Sequence, residues 1–267
     1  MKLFAVLLTA CLASLPPLSA VPDPHDRLLA TRRLAYDATF ENDAAGLRAA
    51  AAAFDELADA GGTPGGLVAL ARYYAGWSRW SLAASEVVAG DMDGARATLE
   101  ASVDDLRAAR ARRSDLADTP AALAASLIAL VQVAPERFPA IAPEVTALRR
   151  EALALGPANP RVVLMDAGLI FFNPPERGGS RARGLARFDE ALRLFEQERR
   201  ADDTLPDWGR VMALGWVAQV HLAMEPPQTL EACGLARRAL AARPDFWFVR
   251  SQVLPALGDA CPASPRP

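Results

Sequence analysis

Residues Asn159 to Glu196 read NPRVVLMDAGLIFFNPPERGGSRARGLARFDEALRLFE, and this stretch decides the fold. Val162 to Phe172 is β-branched enough to suggest a buried strand, yet it opens on Asn159-Pro160, an N-cap oxygen followed by a proline suited to the first helical turn. That start and the length of the run predict a buried helix. Beyond the interruption at Asn173 to Gly179, Ser180 stands as the next N-cap, and Gly184, Phe188, Ala191 and Leu192 fall on one face of a second helix. Two consecutive helices with facing apolar stripes bury them as an antiparallel pair.

The same reading extends along the chain. Breakers stand at Gly61-Gly62-Thr63-Pro64, Gly90-Asp91, Thr119-Pro120, Pro139, Gly156-Pro157, Leu205-Pro206, Pro226-Pro227 and Pro244. Between them apolar residues recur at three- and four-residue spacing, Ala is abundant and alternating β-branched runs are nearly absent. The expectation is an all-α protein, an α-solenoid of antiparallel helical pairs with about ten to eleven helices. Asp91, Thr119, Asn159 and Ser180 are the candidate N-caps. The expected organisation is a signal peptide over 1–20, an N-terminal helical segment over 21–63, a repeat array over 64–257 and a tail over 258–267.

The pairs repeat loosely. A small residue, a larger apolar residue four on and a second small one three further recur as Ala95, Leu99, Ser102 and Val103. They recur again as Gly184, Phe188, Ala191 and Leu192, and as Ala232, Ala236, Ala239 and Leu240 with Pro244 closing the helix. Val145, Ala152, Leu153 and Pro157 give a weaker copy. This series resembles the tetratricopeptide repeat, whose second helix ends in a similar small, aromatic, small, Leu and Pro pattern. From Ser102 to Ala152, Ala191 and Ala239 the steps are 50, 39 and 48 residues, longer than the family period of 34, so insertions interrupt the array. Trp216, sixteen residues before Ala232, holds the place of the family's first-helix Trp; the matching place before Ala95 is Arg79, beside Trp80. The loop Asn173 to Gly179 is also similar to one in exported bacterial tetratricopeptide-like proteins, among them the periplasmic helical subunit that accompanies some TRAP-type solute transporters.

Composition narrows the function. The chain has 267 residues, 52% hydrophobic and 23% charged, with a net charge of -3, so it can bury a sizeable core and offers no global attraction to nucleic acid. Lys2 is the sole lysine, which excludes a P-loop and a lysine Schiff base, and two His and three Cys are too few for a typical zinc module or haem site. No cofactor or metal is expected. The opening MKLFAVLLTACLASLPPLSA has the charge, apolar run and small residues of a secretory signal, which predicts cleavage after Ala20, a periplasmic location and no membrane span in the mature chain. Leu8-Thr9-Ala10-Cys11 also resembles a lipobox, so a lipoprotein anchored through Cys11 is the alternative. In an oxidising compartment Cys233 and Cys261 could bridge and clip the tail to the last repeat.

Tyr73, Trp77 and Trp80 stand at i, i+4 and i+7 and line one helical stripe, either an aromatic groove wall or core packing. Arg79, with Arg72, could hold a carboxylate bidentately or lie on a solvated face. Asn173 and Arg177 belong to the inserted loop, which is expected to border a ligand groove; Arg177, Arg181 and Arg183 there could attract an anion. Gly76-Trp77-Ser78-Arg79-Trp80 lacks the strand and final glycine of a nucleophile elbow. His221, near Trp216, has no nucleophile at a recognisable spacing, and Asp104-Asp105 and Asp202-Asp203 do not share a helix face. The reading is a non-catalytic scaffold holding a protein or peptide partner in a concave groove lined by Tyr73, Trp77, Arg79, Trp80, Asn173, Arg177, Trp216 and His221. The rival is a carrier of a small apolar or anionic ligand, accessory to a solute transporter.

Overall fold

The computed structural model describes residues 23–261, and the expected signal peptide, Cys11 and the last residues of the tail lie outside them. Among the described residues there are eleven α-helices and no strand. They are α1 (Pro24–Glu41), α2 (Ala44–Asp59), α3 (Gly65–Ala89), α4 (Met92–Arg112), α5 (Asp118–Val133), α6 (Phe138–Leu155), α7 (Pro160–Phe172), α8 (Arg181–Gln197), α9 (Arg210–Leu222), α10 (Thr229–Ala242) and the short α11 (Leu254–Leu257). The stretch Val162 to Phe172 is thus helical, as its Asn-Pro start predicts. Asn159 accepts from Arg161 N at 2.9 Å, Asp91 from Gly94 N at 2.9 Å and Ser180 from Arg183 N at 3.3 Å, each satisfying a free donor of the first turn. Thr119 does not cap, because the helix has already begun at Asp118.

Consecutive helices pair as α1/α2, α3/α4, α5/α6, α7/α8 and α9/α10, and α1, α3, α5 and α7 also touch one another in succession. Residues 24–59 therefore form the first pair of the array and pack directly on α3. Small residues set the close approaches: Ala95, Ser102, Ala191, Ala232, Ala236 and Ala239 are fully buried. A Cβ on Gly184 would lie 2.6 Å from the Phe171 Cα, so only glycine lets α8 come this near α7. Ser102 donates to the Gly76 carbonyl at 2.7 Å and lies 3.0 Å from Ser126 Oγ, which satisfies a polar group inside the α3–α4–α5 contact.

The array closes on itself. In the turn after α10, Arg243 Nη1 lies 2.8 Å from Asp37 Oδ1 of α1, and Phe246 meets the Phe40 ring edge-on at 4.9 Å. A wide π-turn, Val249–Val253, runs into α11, and Cys261 beyond it is bonded to Cys233 of α10 with Cα atoms 5.4 Å apart.

Candidate functional site

The inner face of this closed array is not empty. The connection between α8 and α9, residues 198–209, is longer than helix–helix connections usually are, and it folds inward against α1, α3 and α7. Its main chain is held by side chains of the array. Arg32 of α1 donates to the carbonyls of Asp203 and Leu205 at 2.5 and 3.2 Å, and Tyr74 Oη of α3 donates to the carbonyl of Thr204 at 2.9 Å. Arg161 of α7 donates to the carbonyl of Trp208 at 3.1 Å. Two side chains anchor the segment as well. Trp208, 3% exposed, lies 5.8 Å from the Trp77 ring and donates its indole N–H to Tyr73 Oη at 2.7 Å. The Asp207 carboxylate sits 3.4 Å from Arg32 and 3.0 Å from Arg200.

Electrostatics explain why Arg161 can be buried here. It is 4% exposed, with Nε 2.5 Å from Asp118 Oδ1 and Nη2 on Glu198, while Asn159 Nδ2 donates to Asp118 at 2.8 Å. Burial opposes the cation, but Asp118 and Glu198 outweigh it and hold its pKa above the ordinary value. Burial likewise raises the hydroxyls of Tyr73 and Tyr74 well above the usual tyrosine range, so both remain neutral hydrogen-bonding groups. His25 of α1 reaches Asp203 at 3.0 Å; that hydrogen bond raises the imidazole pKa.

The aromatic stripe lies where the pattern puts it, but its role changes. Tyr73 and Trp77 are fully buried under the 198–209 segment, so they contact the chain's own Trp208 and present no open wall. Trp80 is half-buried and meets Trp216 of α9 edge-on at 5.8 Å, which brings two of the expected groove residues together. Arg79 faces the other way: it pairs with Asp55 of α2 and Asp105 of α4, and Arg72 joins the same acids, so neither guanidinium is left for a ligand carboxylate. The two acids raise the Arg79 pKa against the effect of burial.

Asn173 and Arg177 are corrected in the same way. Asn173 is the C-cap of α7, and Arg177 lies over the Phe138 ring at 4.2 Å, so the inserted loop folds onto the start of α6 at the rim. Arg161 and Asn173 stand at opposite ends of α7, about 18 Å apart at the helical rise, so the loop does not border the occupied interior. Arg181 is spent on the Ala223 carbonyl and Glu225, and Arg183 on the Gly178 carbonyl, which leaves no assembled anion site. His221 is buried and paired through Nδ1 with Gln228 Oε1 at 2.6 Å, a brace across the α9–α10 turn. Among the described residues no cluster of His, Cys, Asp or Glu could hold a metal ion, and no helix is long and apolar enough to cross a membrane.

Arg32, Arg161, Tyr74 and Thr204 are the interior residues that the sequence reading missed, and Trp208 stands in the connection before α9 and not at the start of a groove-lining helix. The available signal was a Trp between Pro206 and Gly209 in an otherwise polar connection, since a large aromatic in a loop asks for a buried partner. Two spaces adjoin the segment. The cleft bounded by Trp77, Trp80, Ser126, Met165 and Trp208 is too tightly packed to admit a water molecule. A wider cavity of about 510 Å³ runs along Leu205 and Pro206 between Leu116, Arg161 and Leu194.

No protein-family model and no curated protein sequence matches this chain. Among solved structures it is similar to the HusA haemophore from Porphyromonas gingivalis, with 21% identity and a TM-score of 0.62 over 78% of this chain and 97% of that one. It is also similar to a thermophilic TPR protein of Thermus thermophilus, with 16% identity and a TM-score of 0.57 over 88% of this chain and 99% of that one. Helical pairing, small-residue contacts and these likenesses agree that the fold is a tetratricopeptide-like helical array.

Proposed function

We propose that this protein is a non-catalytic scaffold of the periplasm that holds a non-helical peptide segment of a partner protein on the inner face of its array. The observation that carries this reading is the occupied interior: a non-helical strand of polypeptide already lies there, gripped through its carbonyls by Arg32, Tyr74 and Arg161. Those contacts read main chain, which any peptide shares, while the Trp208 site adds side-chain selectivity. Stacked helical pairs provide such extended inner surfaces. The chemistry of the interior points away from catalysis, because its tyrosines are held neutral and its arginines are saturated by carboxylates and carbonyls. Export rests on the first twenty residues; N-terminal analysis of the mature protein giving Val21 would support it, and a diacylated Cys11 would replace it with a membrane-anchored form.

Small-molecule carriage beside a transporter is the second reading. The 510 Å³ cavity and the haemophore among the structural neighbours favour it. Against it, the aromatic cleft holds no free volume, and the 510 Å³ cavity lies beside the segment where it is open to the surface. A photoreactive amino acid at position 80 of the exported protein separates the two. The scaffold reading expects crosslinks to a polypeptide and a native mass equal to the processed chain alone. A retained small molecule in stoichiometric amount, with no polypeptide crosslink, would overturn it.

A further inference from the structure

Resting on that reading, we infer that Asp203 to Trp208 is a built-in stand-in for the partner, whose binding segment is a non-helical peptide that turns ahead of an acid followed by Trp. Each feature follows from a contact. Arg32 and Tyr74 hold three successive carbonyls, those of Asp203, Thr204 and Leu205, on a backbone that turns at Asp203-Thr204, where Thr204 N–H donates to the Asp202 side chain at 2.8 Å. Arg32 of α1 faces the Asp207 carboxylate at 3.4 Å, which favours an acid immediately before the aromatic residue. Tyr73 Oη accepts the Trp208 indole N–H, so Phe fits the ring site but leaves that acceptor unmet. Pro206 is buried and supplies no N–H, so it leaves no backbone donor unmet there.

Three observations mark the segment as an occupant that can be exchanged. Its leading flank, Arg199 to Asp203, is exposed, while Gly209 at the other end is buried against Phe195 with φ 112°, a conformation open to glycine. The 510 Å³ cavity beside Leu205 and Pro206 gives an incoming chain a place to begin pairing before the resident strand leaves. The interior also holds a donor that the resident leaves unmet, because Trp77 Nε1 is buried without a partner in the cleft wall next to Trp208. A partner peptide that supplies an acceptor there gains a hydrogen bond the resident does not make.

The test uses the full mature chain and a fluorescent octapeptide of residues 202–209, Asp-Asp-Thr-Leu-Pro-Asp-Trp-Gly, read by anisotropy. In wild type the tethered segment competes at an effective concentration in the millimolar range, so binding in trans is weak. Trp208→Ala, which frees the anchor site, should bind the octapeptide at least about tenfold more tightly than wild type, and a peptide with its Trp changed to Ala should lose that gain. No binding to a Trp208→Ala protein of wild-type helicity, or equal binding of the Trp-less peptide, overturns the inference. If Trp208→Ala does not fold, Asp207→Ala decides by hydrogen exchange. Amides of 204–209 exchanging well ahead of the helices support exchangeability, and exchange only with global unfolding refutes it. The position-80 crosslink keeps the broader reading separate: a captured polypeptide that the octapeptide fails to displace sinks the sequence rule and leaves the scaffold standing.

Discussion

Replacing Arg161 with Met tests whether the interior strand is held by one buried charge cluster. The wild-type guanidinium is 4% exposed and joins Asp118, Glu198 and the Trp208 carbonyl, so it ties the start of α7 to α5, to the end of α8 and to the strand. Met preserves much of the volume but leaves the Asp118 carboxylate, itself 4% exposed, with Asn159 as its remaining polar partner among these contacts. Removing one partner of a buried ion pair typically costs about 3–5 kcal/mol. Glu198 is more exposed and can turn to water, which favours the lower end. At about 2–4 °C per kcal/mol for a chain of this size, the melting temperature should fall by about 6–20 °C. Scanning calorimetry measures the fall, and tryptophan emission reports whether Trp208 gains water. The double change Arg161→Met with Asp118→Asn should recover about half of the loss, because no uncompensated charge stays buried. A shift of the single variant under about 2 °C, or no recovery in the double, would refute the claim that this cluster holds the strand.

Joint replacement of Cys233 and Cys261 by Ala should lower stability by about 3.5 kcal/mol for a separation of 28 residues, and an unchanged urea midpoint at equal slope would show that the bridge does not constrain the chain. Gly184→Ala should cost about 1–3 kcal/mol, toward the high end because the added methyl meets Phe171 backbone; a melting temperature equal to wild type would mean that α7 and α8 can part freely. Hydrogen bonding to Asp203 raises the His25 pKa, so that contact is fully present below pH 6.5 and is lost as pH rises through the raised value. Hydrogen exchange of residues 201–205, corrected for intrinsic rates, should therefore quicken across that window in wild type and stay flat in His25→Ala, and equal profiles would discount the contact.

What the sequence made legible was local. Asn159-Pro160 resolved the β-branched run as α7, and the small-residue series marked the faces where Gly184, Ala191, Ala232 and Ala239 sit fully buried. The aromatic stripe was placed on the correct inner helix. Its role was not legible, because whether Tyr73 and Trp77 face solvent or polypeptide depends on Trp208, 135 residues from Tyr73, and no periodicity spans that distance. Arg79 misled for a related reason: its partners come from neighbouring helices, Asp55 on α2 and Asp105 on α4. The inserted loop at 173–179 stood out through its prolines and glycines, whereas the connection that enters the interior, 198–209, showed only as a break at Leu205-Pro206. Turn chemistry announces where a chain bends, and the direction of the bend is set by contacts far away in sequence.

Closure of the array makes an occupant physically necessary. With Arg243 on Asp37 and Phe246 on Phe40 joining the ends, the inner helices cannot splay to bury their aromatic faces against each other, and those faces remain as walls. Uncovering Tyr73, Tyr74 and Trp77 would cost roughly 1.5–3 kcal/mol for each ring returned to water, a sum comparable with the whole stability of an ordinary domain. The interior is covered by residues 198–209 of the chain itself. On the proposed reading, binding is an exchange in which apolar burial nearly cancels between resident and newcomer, and the difference is left to specific groups: the Tyr73 acceptor, the unmet Trp77 donor and the carboxylate facing Arg32. Merely sticky peptides gain little against a resident that already buries the same surface, while one matching those groups gains a hydrogen bond or two, each worth about 0.5–3 kcal/mol. On the proposed reading the resident segment is a selectivity threshold, and deleting its Trp208 anchor should strengthen the binding of peptides that carry a Trp more than of peptides that lack one.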